Sequence, residues 1–317
     1  PFVPKEYMGK PTSARRNGDN AVLNAEYGAE HSGFRDIRTI KIETSGKIEY
    51  ELPFLKGLKA SMFYSWDWNN IAYKTFSYGY KVMAYQFATK DYKEKMSSGL
   101  LPDGNLSLTD IKRQQTILRP QIYYSGNFGK HSVSALVLYE LNRYNSTAMS
   151  AERRKFALLD LPELNLGSKE TATNSGNTDK RAYAGYVGRF NYSYDEKYLA
   201  EVALRYDGSY LFAKDNRWGF FPSLSLGWVM SKEQFFRDAL PKIDYFKLRG
   251  SIGEVGNDNV SPFLYRKNYG FHAGYVAIGG NAQNTLYNTV SYPMAELTWE
   301  RVRSTDFGFE LNAWKGL

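Results

Sequence analysis

Three histidines, His31, His131 and His272, are the first places to look for chemistry, because imidazole titrates near neutral pH and binds metals. Each stands alone, with no His-x-x-x-His pair and no carboxylate at ligand spacing. The chain has no cysteine, so neither a thiolate nucleophile nor a Cys-based metal site nor a disulfide is available. No Gly-x-Ser-x-Gly elbow presents a serine for acyl transfer. The run Gly253-Glu254-Val255-Gly256-Asn257-Asp258-Asn259 has the glycines of a phosphate loop but not its Lys-Ser/Thr. It also lacks the alternating oxygen ligands and closing Glu of a calcium loop, and reads as a turn. Acidic pairs occur, but strands with one charged face produce them by chance. No enzyme activity, cofactor or metal is therefore expected.

The remaining polar candidates fall into two groups. Arg189, Asn191, Glu201, Arg205 and Asp207 share the polar side of two neighbouring strand-like segments. They pair with one another or with a neighbouring domain, or else form a path for a hydroxyl-rich or peptide ligand. Arg153 and Arg154, in AERRKF, and Arg217 and Trp218, in NRWGFFP, fall in connections between strands. The two arginines are read as anchoring their loop to nearby carboxylates, and Asn216–Pro222 as an entry into a strand rather than a sugar platform.

The elements that carry these residues are strands of period two. From Tyr198 the even positions are Tyr198, Ala200, Val202, Leu204 and Tyr206, while Glu201, Arg205 and Asp207 alternate with them. The turn Asp195-Glu196-Lys197 joins this strand to an earlier one with Tyr186, Gly188, Phe190, Tyr192 and Tyr194 on its apolar side. The same pattern places Ile40, Ile42, Ile48, Tyr50 and Leu52 opposite Lys41, Glu43, Lys47, Glu49 and Glu51. After the turn at 53–57 it places Leu58, Ala60, Met62, Tyr64, Trp66 and Trp68 opposite Lys59, Ser61, Ser65 and Asp67. Further strands are expected near 116–127, 132–143, 218–230 and 245–253, and over 305–314. Residues 1–36 lack period and read as a loop. Residues 73–110 read as a long excursion with room for its own hairpin, 145–180 and 254–297 as two more, and 232–236 as one helical turn.

Aromatic residues make up 16% of the 317 residues, 26 of them tyrosine, more than soluble-core packing needs. The net charge of +8 comes from basic residues spread along the chain and interleaved with acidic ones. No basic stripe and no nucleic-acid-binding motif is present, so no nucleic-acid partner is expected. No apolar run reaches the ~18 residues of a transmembrane helix, which leaves a membrane β-barrel open because its lumen face is polar.

The connections at 53–57, 128–131 and 195–197 are short and 231–244 is intermediate. Those at 73–110, 145–180 and 254–297 are long, with 207–217 a smaller one. Short turns on one rim, long loops on the other, and aromatics near strand ends (Trp66/Trp68, Tyr192/Tyr194/Tyr198, Trp314) are the organisation of an outer-membrane barrel. The expected fold is all-β, an antiparallel transmembrane β-barrel of which about nine strands are present.

Specific phrases also resemble a family. AYAGYVGRFNYSYDEKYLAEVALRYDGS (Ala182–Ser209), NRWGFFPSLSLGW (Asn216–Trp228) and FKLRGSIGEVGND (Phe246–Asp258) look like barrel segments of SusC/RagA-type TonB-dependent transporters. LPFLKGLKA (Leu52–Ala60), FGKHSVSALVLYE (Phe128–Glu140) and SAERRKF (Ser150–Phe156) fit the same series, which covers most of 37–317. The resemblance implies a plugged barrel of roughly 22 strands, with 37–317 as part of its wall and 1–36 as an extracellular loop segment. The plug, the TonB box and the signal peptide would lie outside this chain, which reads as an internal piece of a longer polypeptide. It further implies the outer membrane of a Gram-negative, Bacteroidetes-type bacterium, with membrane lipid around the barrel. The partners it implies are TonB, a SusD-like surface lipoprotein acting as a lid, and an oligosaccharide or peptide cargo. The competing expectation is a secreted or surface β-rich module, a carbohydrate binder or adhesin, with its aromatics in a soluble core.

Overall fold

The computed structural model describes residues 6–13, 24–86, 89–97, 99–278, 281–288 and 292–313, with 25 and 271–288 described by backbone alone. In chain order the elements are β1 (Glu6–Tyr7), β2 (Lys10–Pro11), α1 (Ala25–His31), β3 (Gly33–Glu51) and β4 (Leu58–Ser77). There follow β5 (Lys81–Gln86), β6 (Asp91–Met96), β7 (Asn105–Phe128), β8 (His131–Arg154), β9 (Thr173–Tyr194) and β10 (Tyr198–Ser209). The chain continues with β11 (Trp218–Val229), α2 (Gln234–Ala239), β12 (Ile243–Asn257), β13 (Tyr269–Ile278), β14 (Asn281–Asn288) and β15 (Glu300–Ala313). Nine strands form one sheet in the order β15-β12-β11-β10-β9-β8-β7-β4-β3, so neighbours in sequence are neighbours in the sheet. The hairpins β5–β6 and β13–β14 stand apart from it, inside the excursions expected at 73–110 and 254–297.

Residue contacts divide the chain into two compact units. One comprises 1–43, 67–114 and 145–180, and the other 44–66, 115–144 and 181–317. Most stretches legible from apolar alternation lie in the second unit, with Ile40, Ile42 and Trp68 in the first. The strands run further than expected: β7 starts at Asn105, β8 ends at Arg154 and β9 starts at Thr173. These extensions are rich in Ser, Thr, Asn and charge, so they carry no period-two apolar signal, yet the ladder satisfies their backbone all the same. Across β8 and β9 the Ser150 and Ser175 hydroxyls are 2.7 Å apart, a polar cross-strand pair where an apolar one would signal a strand. The excursions shrink accordingly to 78–104, 155–172 and 258–299. Gly253–Asn257 belongs to β12, which corrects the reading of that run as a turn.

In the first unit the excursions fold onto small apolar clusters. Phe76, Leu106 and Phe156 are buried together, with Phe76 and Phe156 edge to face at 5.2 Å. Tyr80, Val82 and Ala84 form a second cluster with Tyr27 and Leu100 against it. The segment expected as a loop over 1–36 holds α1, because Asn24 caps it, its Oδ1 accepting from the Tyr27 amide at 2.8 Å. The Tyr80 hydroxyl donates to the Asn24 carbonyl at 2.7 Å. Arg15-Arg16-Asn17-Gly18-Asp19-Asn20, the centre of that expected loop, and Trp314 lie outside the described residues.

The second unit shows the two faces separately. Rows of cross-strand partners run from β9 to β15: Tyr194–Tyr198–Trp228–Leu248–Phe309, then Tyr192–Ala200–Leu226–Gly250–Phe307, then Phe190–Val202–Leu224–Ile252–Thr305. Among the described residues only α2 packs against this side, at its rim, and Leu226 is 54% and Phe307 87% exposed. A soluble module would bury such rows, since exposed apolar patches above a few hundred Å2 mark an interaction surface. An aromatic core buried in a soluble module would leave these rows covered, whereas here they stand exposed among the described residues.

The short connections lock the same unit. Asp195 and Glu196 both have positive φ (50° and 51°), as a two-residue primed turn requires. The Lys197 amide closes that turn on the Tyr194 carbonyl at 2.9 Å, and the Asp195 amide reaches the Lys130 carbonyl of the next turn at 2.7 Å. Gly57 (φ +89°) donates no side chain to a crowded spot: a Cβ there would lie 1.9 Å from the Ser125 carbonyl oxygen. Gly57→Ala should therefore lower the denaturant midpoint of the full-length protein, a cost of roughly 1–3 kcal/mol for enforced backbone strain. Gly46→Ala, with nothing within 4 Å of the new Cβ, should leave it close to wild type.

In the first unit, β2 is held to the β5–β6 hairpin by Glu94, which bonds Lys10 and, at 2.9 Å, Lys81. The hydrogen bond from Lys10, then that from Lys81, lowers the Glu94 carboxyl from 4.5 to about 2. A depressed folded-state pKa gives stabilisation that is complete above the unfolded value and lost as pH falls through the folded one. Amide-exchange protection in 81–96 should thus hold above pH 4.5 and fall as the pH drops toward about 2. Glu94→Gln should remove that dependence.

Candidate functional site

The charged face of the second unit contains a cleft of about 680 Å3. Its charged lining comes from β7 (Arg119), β8 (Glu140), β9 (Arg189), β10 (Arg205 and Asp207) and β12 (Glu254), and Asp258 closes one end just past β12. Period-two alternation puts these side chains on one side of the sheet: Ala203 pairs with Arg189, Arg205 with Val187 and Asp207 with Gly185.

Ion pairs structure the cleft, and at its β12 end Glu254 is held by Arg303 at 2.6 Å and Arg301 at 3.4 Å. Arg119 Nε donates to Glu140 at 2.7 Å, and its guanidinium also lies 5.7 Å from the centre of the Phe63 ring. Arg205 grips Asp207 bidentately, with Nε and Nη2 each 3.0 Å from a carboxylate oxygen. That geometry depends on Gly185 opposite, because a Cβ there would sit 2.3 Å from Asp207 Oδ1. Arg189 also lines the cleft, and among the described residues no hydrogen bond or ion pair engages it. Glu201 and Asn191 face each other in register further along the same side, where Asn191 Nδ2 donates to Ser134 Oγ at 3.2 Å.

The cleft is shaped at one end by an aromatic wedge. The β11–β12 ladder ends at Ser223 and Gly253, and beyond it Phe221 packs on Trp299 at 5.3 Å and Phe212 on Trp299 at 5.5 Å. Trp299 Nε1 donates to the Arg217 carbonyl at 2.8 Å, and Thr298 Oγ1 to the Asn216 carbonyl at 2.9 Å. The end of the last excursion is thus seated on the 210–217 connection.

The loop candidates are dispersed. Arg153 and Arg154 lie at the end of β8, not in a loop. Arg153 Nη1 donates to the Leu164 carbonyl at 3.0 Å and so holds the 155–172 excursion down, whereas Arg154 Nε donates at 2.9 Å to Glu152 of its own strand. Trp218 opens β11 on the apolar side, stacked on Tyr206 at 4.9 Å, and Arg217 precedes it at the end of a 3-10 turn. His31 ends α1 against the Tyr27 ring at 3.9 Å, and His131 meets the Tyr192 hydroxyl at 2.8 Å. His272 falls in β13, described by backbone alone. Among the described residues no cluster of three or more His, Asp or Glu could hold a metal.

Arg119 and Glu140 were not singled out from sequence, although a signal existed. Counting ten residues back from Gly129 and ten forward from Lys130 in the 128–131 turn reaches 119 and 140. Asp258, Trp299 and Phe221 left no such trace, because they meet across a gap in the ladder. Phe212→Ala, at a fully buried position of the wedge, should cost about 3–5 kcal/mol of unfolding free energy, read as a lower denaturant midpoint of the full-length protein. It should also expose the 295–299 segment to limited proteolysis.

Comparison with known proteins yields one family. The profile described as "TonB dependent receptor-like, beta-barrel" matches residues 6–317. The "TonB-dependent receptor SusC" of Bacteroides thetaiotaomicron is 38% identical over 149 residues, 44% of this chain and 14% of that protein. The "TonB-dependent receptor P3" of Formosa agariphila is 30% identical over 197 residues, 62% of this chain and 19% of that protein. Among solved structures, the RagAB peptide importer in its closed-closed state superposes with a TM-score of 0.77 at 17% identity. That superposition covers 100% of this chain and 32% of the solved one, and at such identity it speaks to the fold. The chain spans between 14% and 21% of the length of the curated relatives it matches.

Proposed function

The chain belongs to the TonB dependent receptor-like β-barrel family, and from that premise we propose that it forms part of the wall of an outer-membrane importer driven by TonB. The family is one of transporters and receptors. The observation that carries the reading is the pairing of two unlike faces on one sheet. The uncovered apolar rows suit lipid, and the opposite side holds the charged cleft around Arg119, Arg189 and Arg205. In this reading the apolar rows face the membrane of a Gram-negative, Bacteroidetes-type cell and the cleft faces the lumen. The turns at 53–57, 128–131 and 195–197 lie on the periplasmic rim.

The cargo is an oligosaccharide, or else a peptide, that passes the charged wall on its way through the lumen. A SusD-like lipoprotein covers the extracellular mouth, where the excursions 78–104, 155–172 and 258–299, together with 1–36, meet cargo and lid. TonB acts through a part of the longer receptor outside this chain. Arg189 and Arg205 are exposed wall residues in the path of the cargo, with Asp207, Asn191 and Glu201 beside them. Their mixed charges suit hydroxyl groups and peptide termini alike, so a binding screen of the intact receptor–lipoprotein pair against glycans and peptides separates the two.

Detergent dependence tests the membrane placement: a full-length product that is soluble and monomeric without detergent would remove the barrel reading. For the path, Arg189→Ala in the full-length receptor should lower cargo uptake several-fold while the amount of receptor in the membrane stays constant. Uptake equal to wild type would place the path elsewhere.

A further inference from the structure

The apolar face of the second unit is not flat. Between β10, β11, β12 and β15 it sinks into a hollow of about 810 Å3 lined almost entirely by carbon. The register explains why. The row nearest the 195–197 turn is large throughout: Tyr194, Tyr198, Trp228, Leu248 and Phe309. The next row contains Ala200 and Gly250 on either side of Leu226, with Phe307 beyond. The methyl of Ala200 and the bare backbone of Gly250 lower that row on either side of Leu226, and the depression has Tyr198, Trp228 and Phe307 at its edges.

The aromatic edge is fixed in place. Tyr198 and Trp228 are stacked with ring centres 6.3 Å apart. Their polar ends both point to one carboxylate: the Tyr198 hydroxyl donates to Glu233 Oε1 at 2.8 Å and Trp228 Nε1 approaches it at 3.5 Å. Lys197 Nζ adds a contact to Glu233 Oε2 at 3.3 Å. The Tyr198 hydroxyl, ahead of burial, which opposes it, and of Lys197, holds the Glu233 carboxyl below its ordinary range. Beside this edge α2 folds onto the same face, with Phe236 stacked on Phe246 at 5.4 Å and Phe235 against Trp228 at 6.3 Å. The charges around the rim are largely paired with each other, Lys130 with Asp195 and Lys232 with Glu196, so what the hollow offers a ligand is apolar surface.

We propose that this hollow is a binding site for one acyl chain of a phospholipid from the periplasmic leaflet, seated against Ala200, Leu226 and Gly250 and bounded by the Tyr198–Trp228 edge. The inference rests on the outer-membrane reading above, which puts this face in lipid. The hollow is continuous with the apolar rows of that face and begins at the short-turn rim, where the leaflet's headgroups lie. From Leu248 to Ile252 it runs four residues, about 13 Å at the rise of a strand, a depth within one leaflet. A concave seat with a rigid aromatic wall holds a chain longer than the convex surface around it does, because more of the chain's surface leaves the moving lipid.

The test fills the hollow from either side. Ala200→Leu and Gly250→Leu are made separately in the full-length receptor. At Gly250 the new Cβ meets only the exposed Phe307 ring closely, at 3.2 Å, and that ring is free to swing. Gly188→Leu serves as control, an apolar-face glycine outside the hollow with nothing nearer than Leu204 Cβ at 4.0 Å. Each protein is reconstituted in vesicles of palmitoyl-oleoyl phosphatidylglycerol, re-extracted in mild detergent and weighed by native mass spectrometry. Wild type and the Gly188→Leu variant should retain a receptor-plus-phospholipid peak that both filled variants lose. Equal retention by all four overturns the site. So does a wild-type dimer that falls to monomer in the filled variants, which would make a second copy the occupant. Failure of wild type to enter the vesicles at all is a different result, since it removes the outer-membrane reading on which the site depends.

Discussion

Everything in this molecule follows from the need to satisfy backbone hydrogen bonds without help from a layer of protein on one side. The nine-stranded antiparallel ladder does so strand by strand, each strand bonded to its neighbours in sequence. Because side chains alternate, the same ladder separates two chemistries on its faces at no further cost. Apolar rows stand on one side, uncovered, and Arg119, Glu140, Arg189, Arg205 and Asp207 stand on the other. A soluble fold would have placed a second layer over the apolar rows, and here the buried side chains of the second unit gather at the wedge and the rim instead.

The connections divide the work. At one end they are as short as the strands permit, with positive φ at Asp195, Glu196 and Gly129 and a network of turn-to-turn hydrogen bonds. Such turns hold register and leave no room for recognition. The other connections are long enough to carry their own hairpins and apolar clusters, as around Phe76 and Tyr80. Arg153 and Trp299 then tie their bases to the strands, so that a varied loop can be presented from a constant frame.

The charged cleft shows how little of this frame is spent on any single residue. Two of its arginines are neutralised by partners on the wall itself, which spares the cost of an isolated charge in a confined space. Arg189 is the member that such pairing leaves aside, and it has Ala203 rather than a carboxylate opposite it in the ladder. The apolar hollow on the reverse side arises from the same economy. Where Ala200 and Gly250 occur in one row, nothing behind them can fill the gap, because the other face of the same strands belongs to the cleft side.

Period-two alternation by itself determined the strands of the second unit, their two faces, the short turns and the membership of Arg189, Asn191, Glu201, Arg205 and Asp207 in one polar side. It could do so because apolar and polar environments on opposite faces leave an imprint at every second residue. The phrases around Ala182–Ser209 and Asn216–Trp228 likewise announced the family. Alternation was silent about the extensions Asn105–Gln114, Asn145–Arg154 and Thr173–Lys180, where both faces are polar and the ladder alone makes the strand. Only the tertiary structure decided that Trp299 wedges against Phe212 and Phe221, and that Ala200 and Gly250 share a row. Those are facts of register across strands far apart in sequence, and register is settled by the whole sheet closing its hydrogen bonds together.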